Sequence, residues 1–125
     1  MAIQSRKETL LNAVTATTTS NAIGVDGVGK LSLMVYGSAI SSGNGVFTVE
    51  VSNDPSLGFV PYNRLTSNVT NTNAQNDTRV ASATINTVST GTAILFFPPG
   101  DTFNYIRAKV AVTTDGAYTA VLFVS

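Results

Sequence analysis

The chain predicts an all-β fold: a single-domain antiparallel β-sandwich, jelly-roll-like or immunoglobulin-like, of about eight or nine strands. Three observations carry the prediction. Apolar runs recur at about 8–12-residue spacing with turn formers between them. No stretch sustains the 3.6-residue periodicity of a long helix. Near the C-terminus, two apolar runs flank Asp115-Gly116, and Asp-Gly between such runs is a strong signal for a type I′ hairpin. That hairpin sets a register in which Val112 meets Thr119, Val110 meets Val121 and Ala108 meets Phe123. Ile106 joins them on a core face. Tyr105, Arg107, Lys109 and Ala111 then share the opposite face with Tyr118, Ala120, Leu122 and Val124.

The elements follow in order. Residues 1–8 read as an N-terminal arm, carrying Arg6, Lys7 and Glu8 in a chain otherwise sparing of charge. Residues 9–125 read as the sandwich. Thr9–Thr19 alternates loosely and predicts the first strand. Asn21–Val25 predicts a short second one, closed by the Asp26-Gly27-Val28-Gly29 turn. Lys30–Ile40 is apolar on both sides, with Leu31, Leu33 and Val35 opposite Met34 and Tyr36, as expected of a central strand. Val46–Ser52 alternates cleanly: Phe47, Val49 and Val51 point in, and Val46, Thr48 and Glu50 point out.

Ser52–Gly58 is a turn in every residue. Phe59–Tyr62 returns as an edge strand, because Pro61 has no N–H to give a ladder. Residues 63–78 are too polar for core and read as a long exposed loop, with room for a short edge strand around Leu65–Val69. Arg79–Val88 predicts a strand with Ala81, Ala83 and Ile85 inward. Thr92–Phe97 is a dense apolar strand, expected to be buried on both faces or hidden at a contact. Pro98-Pro99-Gly100 then breaks the chain before the C-terminal pair.

Composition removes whole classes of function. The 125 residues include no cysteine and no histidine, so disulfides, thiolate metal sites and the commonest general base are absent. Seven cations balance seven anions, and only 11% of residues are charged. Such a surface attracts neither nucleic acid nor anionic membrane, and none is expected as a partner. Residues 6–8 interrupt the apolar stretch that a secretory leader needs, so export is not expected.

The glycines around Val28 are not a phosphate loop, since no helix pattern follows them. Glu50 stands alone on an outward face, and Asp26, Asp54, Asp101 and Asp115 lie in turns. No paired carboxylates or metal-ligand spacing emerge, so neither catalysis nor a cofactor is expected.

Two pieces of the chain carry a resemblance. One is Val49-Glu50-Val51-Ser52-Asn53-Asp54 followed by Phe59-Val60-Pro61-Tyr62. The other runs from Phe103 through Ala108 to Thr114-Asp115-Gly116-Ala117. With the Thr-, Ser- and Asn-rich texture, they resemble structural proteins of tailed-bacteriophage virions, of the head decoration or auxiliary type. The resemblance implies a non-enzymatic decoration or cement subunit, made in the host cytoplasm and located on the virion. Its partners would be capsid or other virion proteins, and it would form a homo-oligomer, such as a trimer.

The alternative is a carbohydrate-binding or adhesion module, which would need Tyr62, Tyr105 and Tyr118 as an exposed platform. For the virion reading, the expected assembly contacts are Arg6, Lys7, Glu8, Arg64, Leu65, Asn68 and Arg79. These residues lie in or beside the two segments that offer nothing to a core.

Overall fold

A computed structural model describes residues 6–25, 30–67, 82–86, 91–97 and 103–124. It is an all-β sandwich of two antiparallel sheets, as the periodicity predicts. The strands are β1 (Arg6–Val14), β2 (Thr18–Thr19), β3 (Ile23–Gly24), β4 (Leu31–Ser38), β5 (Asn44–Ser52), β6 (Val60–Tyr62), β7 (Thr66–Ser67), β8 (Ser82–Asn86), β9 (Thr92–Phe96), β10 (Tyr105–Thr113) and β11 (Ala117–Val124). Sheet I has the order β1-β11-β4-β9-β7. In sheet II, β10 and β5 run side by side. β2 and β3 flank β10 in tandem, and β6 and β8 flank β5.

Alternation places the core between the sheets. Sheet I contributes Leu33, Val35, Ala93, Leu95, Tyr118, Ala120, Leu122 and Val124, and sheet II contributes Phe47, Val49, Ala83, Ile85, Ile106, Ala108 and Val110; all are buried. Phe47 meets Tyr118 edge-on across the gap, with ring centroids 6.0 Å apart, an arrangement aromatic quadrupoles favour. Tyr62, Phe97 and Phe103 close the other end of the sandwich, with centroids 5.4–6.0 Å apart. As Pro61 requires, β6 is an edge strand, and it covers only the Val49–Val51 end of β5.

The predicted C-terminal hairpin does not form. β10 pairs with β5 in sheet II, and β11 pairs with β1 and β4 in sheet I. None of the pairs expected between Ala108–Val112 and Thr119–Phe123 exists. A type I′ turn needs positive φ at Asp115 and Gly116, whereas here the positive values fall on Thr114 (φ 71°) and Gly116 (φ 115°). Asp115 N–H donates to the Thr113 carbonyl at 3.0 Å, which together with the positive φ of Thr114 is the pattern of a γ-turn. The chain is thereby turned across the sandwich instead of back along its own strand.

Crossing between sheets releases β11 from the parity that the hairpin imposed. The inward face of β10 is as expected, but that of β11 is reversed. Tyr118, Ala120, Leu122 and Val124 are buried, while Val121 and Phe123 face outward.

Two boundaries also move. β1 begins at Arg6 and pairs with β11 from Arg6–Val124 to Val14–Tyr118, so Arg6, Lys7 and Glu8 belong to the sandwich and not to an arm. The expected first strand is split, its last residues joining sheet II as β2. The split follows a stretch of irregular register in which Ala13 has φ 51°. Thr119 Oγ1 there accepts the Ala13 N–H at 3.0 Å, which satisfies a donor that the irregular ladder leaves over.

Candidate assembly face

The outer faces of the two sheets differ in chemistry. The outer face of sheet II mixes Val46, Ala111 and Pro61 with a paired charge cluster. Arg107 Nε donates to Glu50 Oε1 at 2.7 Å, and its guanidinium lies 4.0 Å from the centre of the Phe59 ring. Lys109 shares this face, next to Thr48 and Thr19 in register. Glu50 is thus occupied by an ion pair.

On sheet I the register builds three rows across β11, β4 and β9. The first is Phe123–Ser32–Phe96, the second Val121–Met34–Ile94, and the third Thr119–Tyr36–Thr92. Phe96, Phe123, Met34 and Tyr36 are exposed. The face carries no formal charge in these rows, and β1 adds Lys7 beside Phe123 and Thr9 beside Val121 at its margin. Large apolar groups gathered on one face of a small domain mark a contact surface.

The two strands β4 and β9 of this surface were visible in the sequence, as the second apolar side of Lys30–Ile40 and Thr92–Phe97. The β11 strand of it was missed, because the hairpin register turned Val121 and Phe123 into the core.

The expected contact residues are distributed differently. Leu65 is fully buried and therefore is core, a correction that follows from β7 joining sheet I immediately after it. Arg6 Nη2 donates to the Gly24 carbonyl at 2.8 Å, tying β1 of one sheet to β3 of the other, and its Nε lies 3.9 Å from Glu8 Oε2. It is a clamp within the domain. Lys7 sits at the margin of the sheet I face, and Arg64 is exposed. Asn68 and Arg79 lie outside the described residues, as do Asp26 and Asp101.

The remaining turn carboxylates serve the backbone. Asp54 Oδ1 accepts from Ser56 N–H at 3.0 Å and caps the short 3-10 turn Pro55–Leu57. Asp115 Oδ1 accepts the N–H groups of Ser41 at 3.1 Å and Gly43 at 2.9 Å, and Oδ2 lies 3.3 Å from that of Ser42. The Ser41 N–H is the largest influence holding this carboxyl below its usual value; desolvation opposes it, and the Gly43 and Ser42 N–H groups add to it. The Tyr118 hydroxyl donates to the Asp115 carbonyl at 2.8 Å. Burial, followed by the Asp115 charge, pushes the Tyr118 hydroxyl upward. These contacts lock the inter-sheet crossing to the β4–β5 loop.

Among the described residues, no three acidic side chains gather as metal ligands would. Tyr62 and Tyr118 are buried and Tyr105 is half-buried, so the three tyrosines form no exposed platform.

No family model matches the chain, and no curated protein matches it. Among solved structures, the fold is similar to the crystal structure of the SPBc2 prophage-derived protein YomS. That likeness has a TM-score of 0.64 at 15% identity and covers 100% of this chain and 97% of the other. The two chains share the sandwich over essentially their whole lengths.

Proposed function

We propose that this chain is a non-enzymatic structural subunit of a phage particle, binding a capsid or tail surface as a decoration or cement protein. The observation that carries this reading is the uncharged apolar face of sheet I, a surface for assembly between subunits of the particle, in a domain whose sheet II outer face carries the Arg107–Glu50 ion pair and Lys109. Burial of apolar surface supplies affinity without chemistry or metal. The whole-length likeness to a prophage-derived protein supports a phage setting. Among the described residues, the occupied Glu50, Asp54 and Asp115 and the buried Tyr62 and Tyr118 favour it over both a hydrolase and a glycan-binding module.

The test is quantitative mass spectrometry of gradient-purified particles from a host carrying this gene, beside the free lysate. The expected result is enrichment in the particle fraction in many copies per particle. Recovery only from the free lysate would overturn the proposal.

A further inference from the structure

Taking the sheet I face as an assembly surface, as the proposed function does, we infer that its occupant is a second copy of the same face, related by a two-fold axis. The rows supply the geometry. Phe123–Ser32–Phe96 reads large–small–large, so Ser32 floors a furrow between two phenyl ridges. Thr119–Tyr36–Thr92 reads small–large–small, so Tyr36 stands as a ridge between threonines. Val121–Met34–Ile94 lies between them.

Place a two-fold axis between two such faces, perpendicular to the strands and level with Met34. The first row of each copy then lies over the third row of the other. Tyr36 enters the Ser32 furrow, the threonines receive the phenyl rings, and Met34 meets its own copy. Strands lie antiparallel over their own copies, within the alignment that stacked sheets adopt.

Charge agrees with self-pairing. An isologous interface brings each residue near the axis onto its own copy, so a formal charge there would meet its like. The three rows hold none. Lys7 lies at the Phe123 end of β1, and the rotation carries it over the partner's opposite end, near the exposed Asn12 and Ala13.

Area sets the strength. A whole aromatic side chain presents about 150–250 Å², so Tyr36 (47% exposed), Phe96 (45%) and Phe123 (40%) offer about 60–120 Å² each. With the rest of the three rows, the face supplies about 500 Å² per copy and about 1,000 Å² per pair, the low end of specific interfaces. The pair is therefore weak and concentration-dependent, of the kind that multivalent display reinforces.

Sedimentation of the full chain over a concentration series tests the inference. Wild type should form a reversible dimer. Met34→Lys and Met34→Glu should each weaken it at least tenfold, and mixing the two variants should restore association, because the axis sets position 34 against itself. Ser32→Phe, which fills the furrow, should also weaken it at least tenfold, while Lys109→Glu on sheet II should leave it unchanged. Circular dichroism confirms that each variant is folded. A wild type that stays monomeric up to about 1 mM, a Met34→Lys dimer as tight as wild type, or a mixture that fails to associate would overturn the pairing. Particle analysis reads out separately: a dimer absent from particles defeats only the virion reading, and a monomer found in particles defeats only the pairing.

Discussion

Replacing Gly45 with alanine tests the packing at the crossing between sheets. A Cβ at Gly45 would stand 2.5 Å from Tyr118 Cδ1 and Cε1 and 2.9 Å from Cζ. The ring has nowhere to retreat. It is fully buried, it packs edge-on against Phe47, and its hydroxyl is bonded to the Asp115 carbonyl. Gly116 closes another side, where a Cβ would run into the Tyr118 hydroxyl oxygen. Overpacking a core costs about 1–3 kcal/mol, and a ring held on several sides places this site near 3 kcal/mol. For a domain of this size that lowers Tm by about 10 °C. Thermal unfolding followed by circular dichroism measures it, with Gly24→Ala as the control, since a Cβ there meets nothing closer than Tyr105 at 4.0 Å. If Gly45→Ala melts within about 2 °C of wild type, or if both variants lose stability alike, the ring is not held as described.

Two further outcomes concern the same connection. The Asp115 carboxyl is held below its ordinary value of 3.8 by the Ser41, Gly43 and Ser42 N–H groups. Its contribution to stability is therefore present above that value and is lost as pH falls through the lower folded-state value. Asp115→Ala should be less stable at neutral pH and show a shallower loss of stability in acid; melting curves from about pH 7 to pH 2 that run parallel to wild type would count against this role. Thr114 is an exposed β-branched residue at φ 71°, a conformation asparagine tolerates better. Thr114→Asn should stabilise by about 1 kcal/mol in chemical denaturation, and no change or a loss would show that the turn is not strained.

The parts of the fold legible in the sequence are those where periodicity and local chemistry agree. β5 alternates without interruption, and Phe47, Val49 and Val51 are inward as read. Pro61 marks an edge strand, and β4 is central because both its sides are apolar. What escaped is decided by partners far along the chain. Asp115-Gly116 is locally a hairpin signal, yet the Asp115 carboxylate is taken by amides more than seventy residues away in sequence, which no local rule weighs. That single choice reversed the face assignment of β11 and hid one of the three strands of the apolar surface. Leu65 sits in a stretch so polar that one buried leucine carried no signal. Arg6 looked free because its partner, the Gly24 carbonyl, is a backbone atom contributed by the other sheet.

The position of β11 has a consequence for the order of events during synthesis. Among the described residues, β1 and β4 share no ladder with each other; β11 lies between them and pairs with both, and β4 pairs with β9 on its other side. Until residues 117–124 have emerged, β1 has no ladder partner and β4 has an open edge where β11 belongs. The Tyr118, Ala120, Leu122 and Val124 side chains that seal the core are also missing. The sandwich therefore closes as a late, non-local step rather than strand by strand as the chain appears. In that interval the slot between β1 and β4 is an open pair of strand edges. Arrival of β11 covers both edges at once, so the last strand made is the one that closes the sheet.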